Sequence, residues 1–376
     1  MLYLFGSFFE DEGSPSLGDR EFTSAVDILI DTGLLPTPSL RQLVNQSSKH
    51  NFKLQVPTKL ASIEIGKEKS TQAQDTPIPF FVDRLKAIAE RFRSESRHIL
   101  VLDGLDDILS RKQVQYESLA ALIFEVSRLN SQFYKSGTPA KIIVLCRTDL
   151  YEKLPGTNKN KIRQDSAEMF DWFHNPNTPK ELNLIKMVNN KVKVGNPEIE
   201  DIFAEYLPST WTGYYGEPED IRSFLLSWTR HTPRDFIQLL RFIQKSSNVG
   251  ILTVDQIWNG IRTYSYDYFL PEIKDEMAGY VSVEDIDASV KLLISLRKRE
   301  FTFKTLYEAQ NEQAHLSNLD IAKILGVMFE CSAIGNTTQR GSHNRYSFKY
   351  RNRHDSLNIN ERLVVHRGLW KAMNFI

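Results

Sequence analysis

The sequence predicts an α/β fold made of a parallel-sheet domain, an all-helical domain and a C-terminal domain of helices and a hairpin. Residues 99–102 and 142–145 are continuous apolar runs of β-forming residues, which is typical of parallel strands buried on both faces. Residues 118–133 between them have helical spacing, so the three segments predict a right-handed β-α-β unit. From about Leu182 onward the apolar spacing is helical.

Composition limits the class of protein. The chain has 376 residues, 41% hydrophobic and 25% charged, which is typical of a folded protein of two or three domains. Lys+Arg and Asp+Glu both total 47, so a nucleic-acid surface would require local segregation of charge. Only Cys146 and Cys331 carry thiols, which indicates neither a disulfide framework nor a metal cluster and favours a reducing compartment.

The chain opens on an apolar segment, residues 1–9, that has no basic leader and runs directly into three acidic residues. It is too short to span a bilayer, and no later run approaches the roughly 20 apolar residues that a spanning helix needs. We therefore expect a cytoplasmic protein without a membrane partner. An apolar start also suggests that a preceding element, absent from this chain, covers it.

The first predicted domain, residues 1–180, contains the two strands. Helical spacing over 23–35 ends at Gly33 and a Pro-Thr-Pro breaker, and residues 62–65 could form a short strand. A polar, unpatterned stretch marks an insertion near residues 36–80. Residues 80–92 then return to an amphipathic helix.

Charged residues follow both predicted strands. Asp103, Asp106 and Asp107 come after the first strand, and Arg147 comes after the second. In open α/β sheets the ligand crevice lies beyond the carboxyl ends of the strands, so these side chains are expected to converge there. The alternative for Asp103 is purely structural, because an apolar strand that ends in Asp often leads into a turn or a helix N-cap.

The second predicted domain, residues 181–281, is helical, with helices at 199–206, 219–228, 233–245 and 254–266. Thr232 is the expected N-cap of the third helix, Pro233 its first residue, and Arg234 lies in its first turn. A cation at that position opposes the helix dipole. Arg234 is therefore expected to have an anionic partner, either Asp235 or a bound phosphate, unless it is an unpartnered surface residue.

The third predicted domain, residues 282–376, has the element order of a winged helix-turn-helix with a C-terminal helix. In its hairpin, basic and aromatic residues alternate, which would make one face basic. That face could contact DNA phosphates, but the preceding helix at 319–328 lacks Arg, Asn and Gln to read base edges. A protein partner is therefore favoured over DNA. The hairpin residues are Arg340, His343, Arg345, Tyr346, Phe348, Lys349, Tyr350, Arg351, Arg353 and His354.

Several of these segments together resemble a bacterial family of P-loop ATPases related to the STAND and AAA classes. They are residues 103–107, 146–150, 232–235, 346–350 and 360–369. The resemblance implies a partial P-loop NTPase core, a helical lid and a winged helix, with ATP and Mg²⁺ as cofactors and a role in defence or signalling. A homo-oligomer, in which the winged helix packs on a neighbouring subunit, is a further expectation.

The same resemblance assigns roles to individual residues. Asp103 resembles the Walker B carboxylate that holds Mg²⁺ through water. Asp106 and Asp107 would orient the attacking water, and Arg147 resembles the sensor residue that contacts the γ-phosphate. Arg234, with Arg230 as a second candidate, resembles the sensor 2 arginine that reaches the nucleotide from the lid.

One departure limits what this resemblance implies. A phosphate loop needs Gly-x-x-x-x-Gly-Lys-Ser/Thr, and these 376 residues contain no such string. The nearest segment, Gly66-Lys67-Glu68, has a carboxylate in place of the Mg²⁺-binding hydroxyl and lacks the first glycine. Family order would put the loop before residue 1. A mis-assigned start or interrupted gene, a shortened chain and a degenerate ATPase would all explain its absence.

The predicted function follows from the family resemblance and from the absence of a phosphate-loop string. We expect a regulatory or defence-associated ATPase whose binding of ATP and Mg²⁺ depends on a missing loop, and which is weakly active or inactive as it stands. The alternative is a non-enzymatic module in which the winged helix binds DNA or protein and the core is scaffold.

Overall fold

The computed structural model describes residues 1–31, 34–35, 78–105, 113–156, 158–173, 178–208, 211–212, 216, 218–247, 250–313, 316, 319–340 and 343–375. These residues form two compact units, Met1–Met169 (unit 1) and Phe170–Ile376 (unit 2). The predicted strand at 62–65 and nearly all of the predicted insertion lie outside the described residues. The fold is mixed α/β, and helices predominate.

Unit 1 combines helices with a two-stranded parallel sheet. Its helices are α1 (Leu2–Phe9), α2 (Arg20–Asp31), α3 (Ile78–Arg91), α4 (Gln113–Ser136), α5 (Thr148–Lys153) and α6 (Lys159–Ser166). Its strands are β1 (His98–Leu102) and β2 (Ala140–Val144), which pair in parallel from His98 opposite Ala140 to Leu102 opposite Val144. The predicted β-α-β unit is thus confirmed, with α4 as the connection.

The two strands are not buried on both faces, so that prediction was wrong. Leu100 and Ile142 belong to the face that packs on the core of unit 1. The opposite face is exposed: Ile99 is 60% exposed and Val101 50%. The reason is that side chains alternate across a strand, and the described residues of unit 1 cover one face only.

The apolar opening segment is a helix that packs into this core. Leu4, Phe5 and Phe8 are buried on α1, and the Phe8 ring stacks on that of Phe92 with centroids 3.9 Å apart. The buried His98 side chain on β1 also contacts this region, because its ring nitrogens lie 2.9 Å from Ser7 Oγ and 3.2 Å from Asp11 Oδ2. Packing within unit 1 therefore accounts for the apolar character of residues 1–9.

Unit 2 is mainly helical. Its helices are α7 (Asn183–Gly195), α8 (Ile202–Tyr206), α9 (Ile221–Leu226), α10 (Pro233–Lys245), α11 (Val254–Tyr264), α12 (Leu270–Ala278), α13 (Val283–Leu296), α14 (Phe303–Asn311) and α15 (Ile321–Glu330). A π-helical turn, Ser265–Phe269, joins α11 to α12. One hydrophobic core extends from Leu182 to Met373, so the predicted helical and C-terminal segments both contribute to it.

Unit 2 also contains a four-stranded antiparallel sheet. Its strands are β3 (Glu300–Phe301), β4 (Ile334–Arg340), β5 (His343–Ser347) and β6 (Arg362–Val365), in the order β3-β6-β4-β5. The hairpin of β4 and β5 lies where the sequence predicts it. Beyond β6 the chain forms a short 3₁₀ helix, Arg367–Leu369, and turns, where the sequence analysis expected an α-helix.

Helix caps explain why several helices begin where they do. The side chain of Thr232 accepts a hydrogen bond from Asp235 N at the start of α10, as predicted. Thr253 and Gln256 form a reciprocal capping box at the start of α11. None of the helices that the structure describes has both the length and the apolar content that a bilayer crossing requires.

Candidate functional site

The carboxyl ends of β1 and β2 lie at the same edge of the parallel sheet. Leu102 pairs with Val144, and Leu145 N donates a hydrogen bond to Leu102 O at 2.9 Å. Asp103 follows β1 directly, and Arg147 lies three residues beyond the end of β2. The structure therefore brings these two predicted site residues to one edge, as the sequence indicated.

Asp103 lies in an exposed turn. Its Oδ1 accepts a hydrogen bond from Gly104 N at 2.7 Å, and Gly104 has a φ of 74°, a left-handed conformation that glycine adopts without strain. This is the structural alternative for Asp103, a carboxylate that stabilises the turn after its strand. Within the described part of the chain Asp103 forms no ion pair, so its carboxylate can also accept an external ligand.

Arg147 is the N-cap residue of the short helix α5. Its backbone is extended, and its carbonyl accepts a hydrogen bond from Tyr151 N at 3.0 Å. Its side chain is exposed. Asp106 and Asp107 lie outside the described residues, so their predicted role in orienting water stays a prediction.

The two predicted lid arginines belong to unit 2 and have different surroundings. Arg234 is 75% exposed, and its Nη1 lies 3.4 Å from Glu272 Oε1 on α12. The partner that the dipole argument required is therefore Glu272, whereas the sequence analysis considered Asp235 or a phosphate. The reason is that Asp235 already binds another arginine.

Arg230 is that arginine, and it lies at the centre of a buried polar network. Its Nε and Nη2 donate to the two Asp235 carboxylate oxygens at 2.9 and 3.1 Å, and its Nη1 donates to Glu276 Oε1 at 2.7 Å. Tyr268 Oη donates to Asp235 Oδ1 at 3.0 Å. Burial, together with the Asp235 carboxylate, raises the pKa of Tyr268, so it remains a donor at neutral pH.

In this network the guanidinium of Arg230 forms ion pairs with residues of unit 2. Arg230 is 7% exposed and Asp235 is 1% exposed. Asp235 and Glu276 neutralise the charge of Arg230 inside unit 2, so the network gives Arg230 a structural role. A nucleotide-binding role for Arg230 stays a prediction. The Arg230–Asp235 pair was not predicted, although the sequence carries a signal for it: a cation five residues before an anion, on either side of a Thr-Pro cap.

Within the described residues, the sheet edge offers the Asp103 carboxylate as an oxygen ligand. Among the described residues, no group of three or more His, Cys, Asp or Glu side chains is arranged to hold a metal ion. A lone carboxylate such as Asp103 suits Mg²⁺ that is held mainly by substrate phosphates and water. Comparison of the chain with protein-family models, curated proteins and solved structures found no match in any of the three.

Proposed function

We propose that this chain is a STAND/AAA-like regulatory or defence-associated ATPase core in a degenerate form that does not hydrolyse ATP on its own. The supporting observation is the β1-α4-β2 unit, in which Asp103 and Arg147 follow paired parallel strands at one edge. That juxtaposition matches what a Walker B carboxylate and its neighbouring sensor residue require. The exposed outer face of the same sheet fits an incomplete core.

The residues present fit only part of a Mg²⁺–ATP site. Asp103 would hold Mg²⁺ through water, and the ion would neutralise charge on the phosphates. The sequence contains no Gly-x-x-x-x-Gly-Lys-Ser/Thr string, the motif whose backbone N–H groups and lysine cradle those phosphates. Since catalysis of phosphoryl transfer is almost entirely positioning and charge stabilisation, we derive no hydrolytic step for this chain.

Of the two predicted lid arginines, Arg234 is the better candidate for contacting a nucleotide. Its side chain is exposed, and its contact with Glu272 at 3.4 Å is a surface ion pair, worth about 0–1 kcal/mol. Releasing Arg230 from Asp235 and Glu276 would leave buried charges without partners, which costs about 3–5 kcal/mol. The proposal therefore assigns Arg230 to stability and keeps Arg234 as the mobile anion contact.

A phosphate-release assay tests this proposal. Purified chain with ATP and Mg²⁺ should release phosphate at the rate of the buffer blank, and Asp103→Ala should give the same rate. Turnover that exceeds the blank and disappears in Asp103→Ala would show that a working site exists without the usual loop, and the degenerate-ATPase proposal would be wrong.

The second candidate function is a protein-binding module, for which unit 1 is scaffold. It is favoured over DNA binding by α15, whose exposed positions are Ala322, Lys323 and Glu330. Base edges are read mainly by Arg, Asn, Gln and Lys, and α15 has no Arg, Asn or Gln.

A mobility-shift assay with duplex DNA separates these candidates. The proposal predicts no shift at physiological salt. A shift that is independent of nucleotide and weakens steeply with salt would favour the DNA-binding module instead. Sedimentation of the chain alone tests the accompanying expectation of a homo-oligomer.

A further inference from the structure

The parallel sheet of unit 1 has two edges, and the edge of β1 carries unpaired backbone groups. His98 N donates to Pro139 O at 2.8 Å, and in a parallel ladder every second residue bonds to the same neighbouring strand. The N–H and C=O groups of Ile99 and Val101 therefore point away from β2. Within the residues that the structure describes, neither residue forms a hydrogen bond on that side.

The other edge of the sheet, that of β2, is already occupied. Asn130 of α4 donates from Nδ2 to Ile142 O and accepts at Oδ1 from Ile142 N, both at 2.8 Å. Because this side chain takes both backbone groups, a further strand cannot pair at the middle of β2. In the described sheet, β1 is thus the edge that can accept another strand.

Side chains along the β1 edge are apolar in the middle and charged at the two ends. Ile99 and Val101 are 60% and 50% exposed, and the exposed residues Arg97 and Asp103 flank the strand. Since side chains two apart share a face, Arg97 and Asp103 follow the alternation that places Ile99 and Val101 on the uncovered face. In the described part of the chain neither Arg97 nor Asp103 forms an ion pair.

This edge is complementary to a second copy of itself. In antiparallel pairing, two residues that exchange both hydrogen bonds lie directly opposite each other. With Leu100 at a two-fold axis, Ile99 lies opposite Val101 of the second copy, and both have outward-pointing backbone groups. In the same register Arg97 lies opposite Asp103 of the second copy. Each contact occurs twice, so two opposite-charge pairs flank two apolar pairs.

Charge favours this register over its neighbours. The outward-pointing backbone groups of the two copies meet again only when one strand moves by two residues. A shift in one direction places Asp103 opposite Glu95, which has the same charge, and a shift in the other places it opposite Ile99. Both shifts lose the two opposite-charge pairs, so the register centred on Leu100 is the most stable of the three.

We propose that β1 pairs antiparallel with β1 of a second copy of this chain, which forms a four-stranded sheet in the order β2-β1-β1-β2. The occupant is a second copy because the edge is self-complementary in charge, and charge complementarity fixes register and excludes wrong partners. Asn130 occupies the outer edge of each β2, so the assembly closes as a dimer.

The proposed contact is short. Strand β1 has five residues, which is little for an interface when stable complexes bury roughly 1,200–2,000 Å², so the dimer should dissociate on dilution. The pairing needs neither nucleotide nor Mg²⁺. It is therefore tested separately from the proposed ATPase core.

Disulfide trapping tests the register. Directly opposite residues have Cα atoms about 5.5 Å apart, which a disulfide can bridge, whereas diagonal neighbours are about 7–8 Å apart. A mixture of Ile99→Cys and Val101→Cys chains should therefore form a covalent dimer on oxidation. Either variant alone should stay at the level of wild type, which carries Cys146 and Cys331. No cross-link above wild type in the mixture, or equal cross-linking of one variant alone, would overturn the proposed pairing.

Charge reversal tests the same contact without added cysteines. Sedimentation should show a wild-type dimer that dissociates on dilution. Arg97→Asp and Asp103→Arg should each raise the Kd about 10-fold or more, since each substitution places two like-charge pairs in the interface. The double variant Arg97→Asp/Asp103→Arg restores opposite charges and should return the Kd to within about threefold of wild type.

Arg20→Asp is the matched control, since Arg20 is an exposed arginine on α2, outside the sheet. It should leave the Kd unchanged, and circular dichroism should show that every variant is folded. Three results would contradict the proposal: a wild type that stays monomeric up to about 1 mM, a dimer that neither single reversal weakens, or a double variant no better than the singles. Each of them leaves the ATPase proposal as it is, because no nucleotide is present.

Discussion

The buried network around Arg230 predicts that substitutions at two adjacent residues, Asp235 and Arg234, differ greatly in their effect on the stability of unit 2. Asp235→Asn keeps the shape of the side chain but removes the charge that neutralises Arg230. In the wild type the two Asp235 carboxylate oxygens accept from Arg230 Nε, Arg230 Nη2, Arg230 N and Tyr268 Oη, at 2.9 to 3.2 Å. After the substitution an amide N–H₂ would face a guanidinium donor.

The size of the effect follows from burial. Removing one partner of a buried ion pair costs about 3–5 kcal/mol. Glu276 remains on Arg230 but its side chain is 30% exposed, so we expect a loss near the lower end, about 3 kcal/mol. For a unit of this length, that corresponds to a fall in Tm of about 6–12 °C. Arg234→Ala, which removes a 3.4 Å surface pair, should cost less than about 1 kcal/mol.

Tryptophan fluorescence is a selective probe for this measurement. All five tryptophans lie between residues 170 and 376, so their emission during urea unfolding reports on unit 2. The free energies of unfolding of wild type, Asp235→Asn and Arg234→Ala can be compared at equal m values. If Asp235→Asn were as stable as Arg234→Ala, the buried network would contribute nothing and our reasoning would be refuted.

Two further predictions concern packing and pH. Gly260→Ala should destabilise unit 2 by about 1–3 kcal/mol or more, because the added Cβ would lie 2.4 Å from Ile243 Cα. A Cβ added at Gly326 has no atom within 4 Å, so Gly326→Ala should be neutral or stabilise by up to about 1 kcal/mol. Equal effects of the two substitutions on urea unfolding would contradict this prediction. Glu125, whose pKa the Arg128 hydrogen bond lowers from 4.5 to about 2, contributes stability that is present above pH 4.5 and is lost as the pH falls towards 2. Glu125→Gln should weaken that acid dependence in circular dichroism of unfolding, and parallel pH curves for the two chains would count against the pairing.

Local patterns predicted most of the secondary structure. The helix α10 begins at Pro233 behind its Thr232 cap, as its sequence indicates, because capping and apolar spacing act within one or two turns. Strands β1 and β2 follow their apolar runs for the same reason. The order of helices and hairpin in the C-terminal segment also matches, while its assignment as a winged helix stays a hypothesis.

Long-range pairings could not be predicted in this way. Strand β6 enters the sheet between β3 and β4, and Val365 pairs with Ile334 across 31 residues of chain. No local pattern specifies that order. The exposed outer face of β1 could not be predicted either, because an apolar run that contains Ile99 and Val101 reads the same whether or not another element covers that face.

The same distinction between local patterns and long-range contacts applies to the candidate site. The positions of Asp103 and Arg147 at one sheet edge follow from a single β-α-β unit, so the sequence predicted them. The partner of Arg234 depends on how α12 packs beside α10. The alternation of basic and aromatic residues around Tyr350 could be read from the sequence, but the contacts that these side chains make could be learned only from the fold.

The measurement that tests the central claim most directly is a calorimetric titration of Mg²⁺–ATP into wild type and Asp103→Ala, each with and without Mg²⁺. The account predicts the same heats for both chains and no Mg²⁺-dependent component. Saturable binding that requires Mg²⁺ and is abolished by Asp103→Ala would contradict it, since the sheet edge would then be a working nucleotide site.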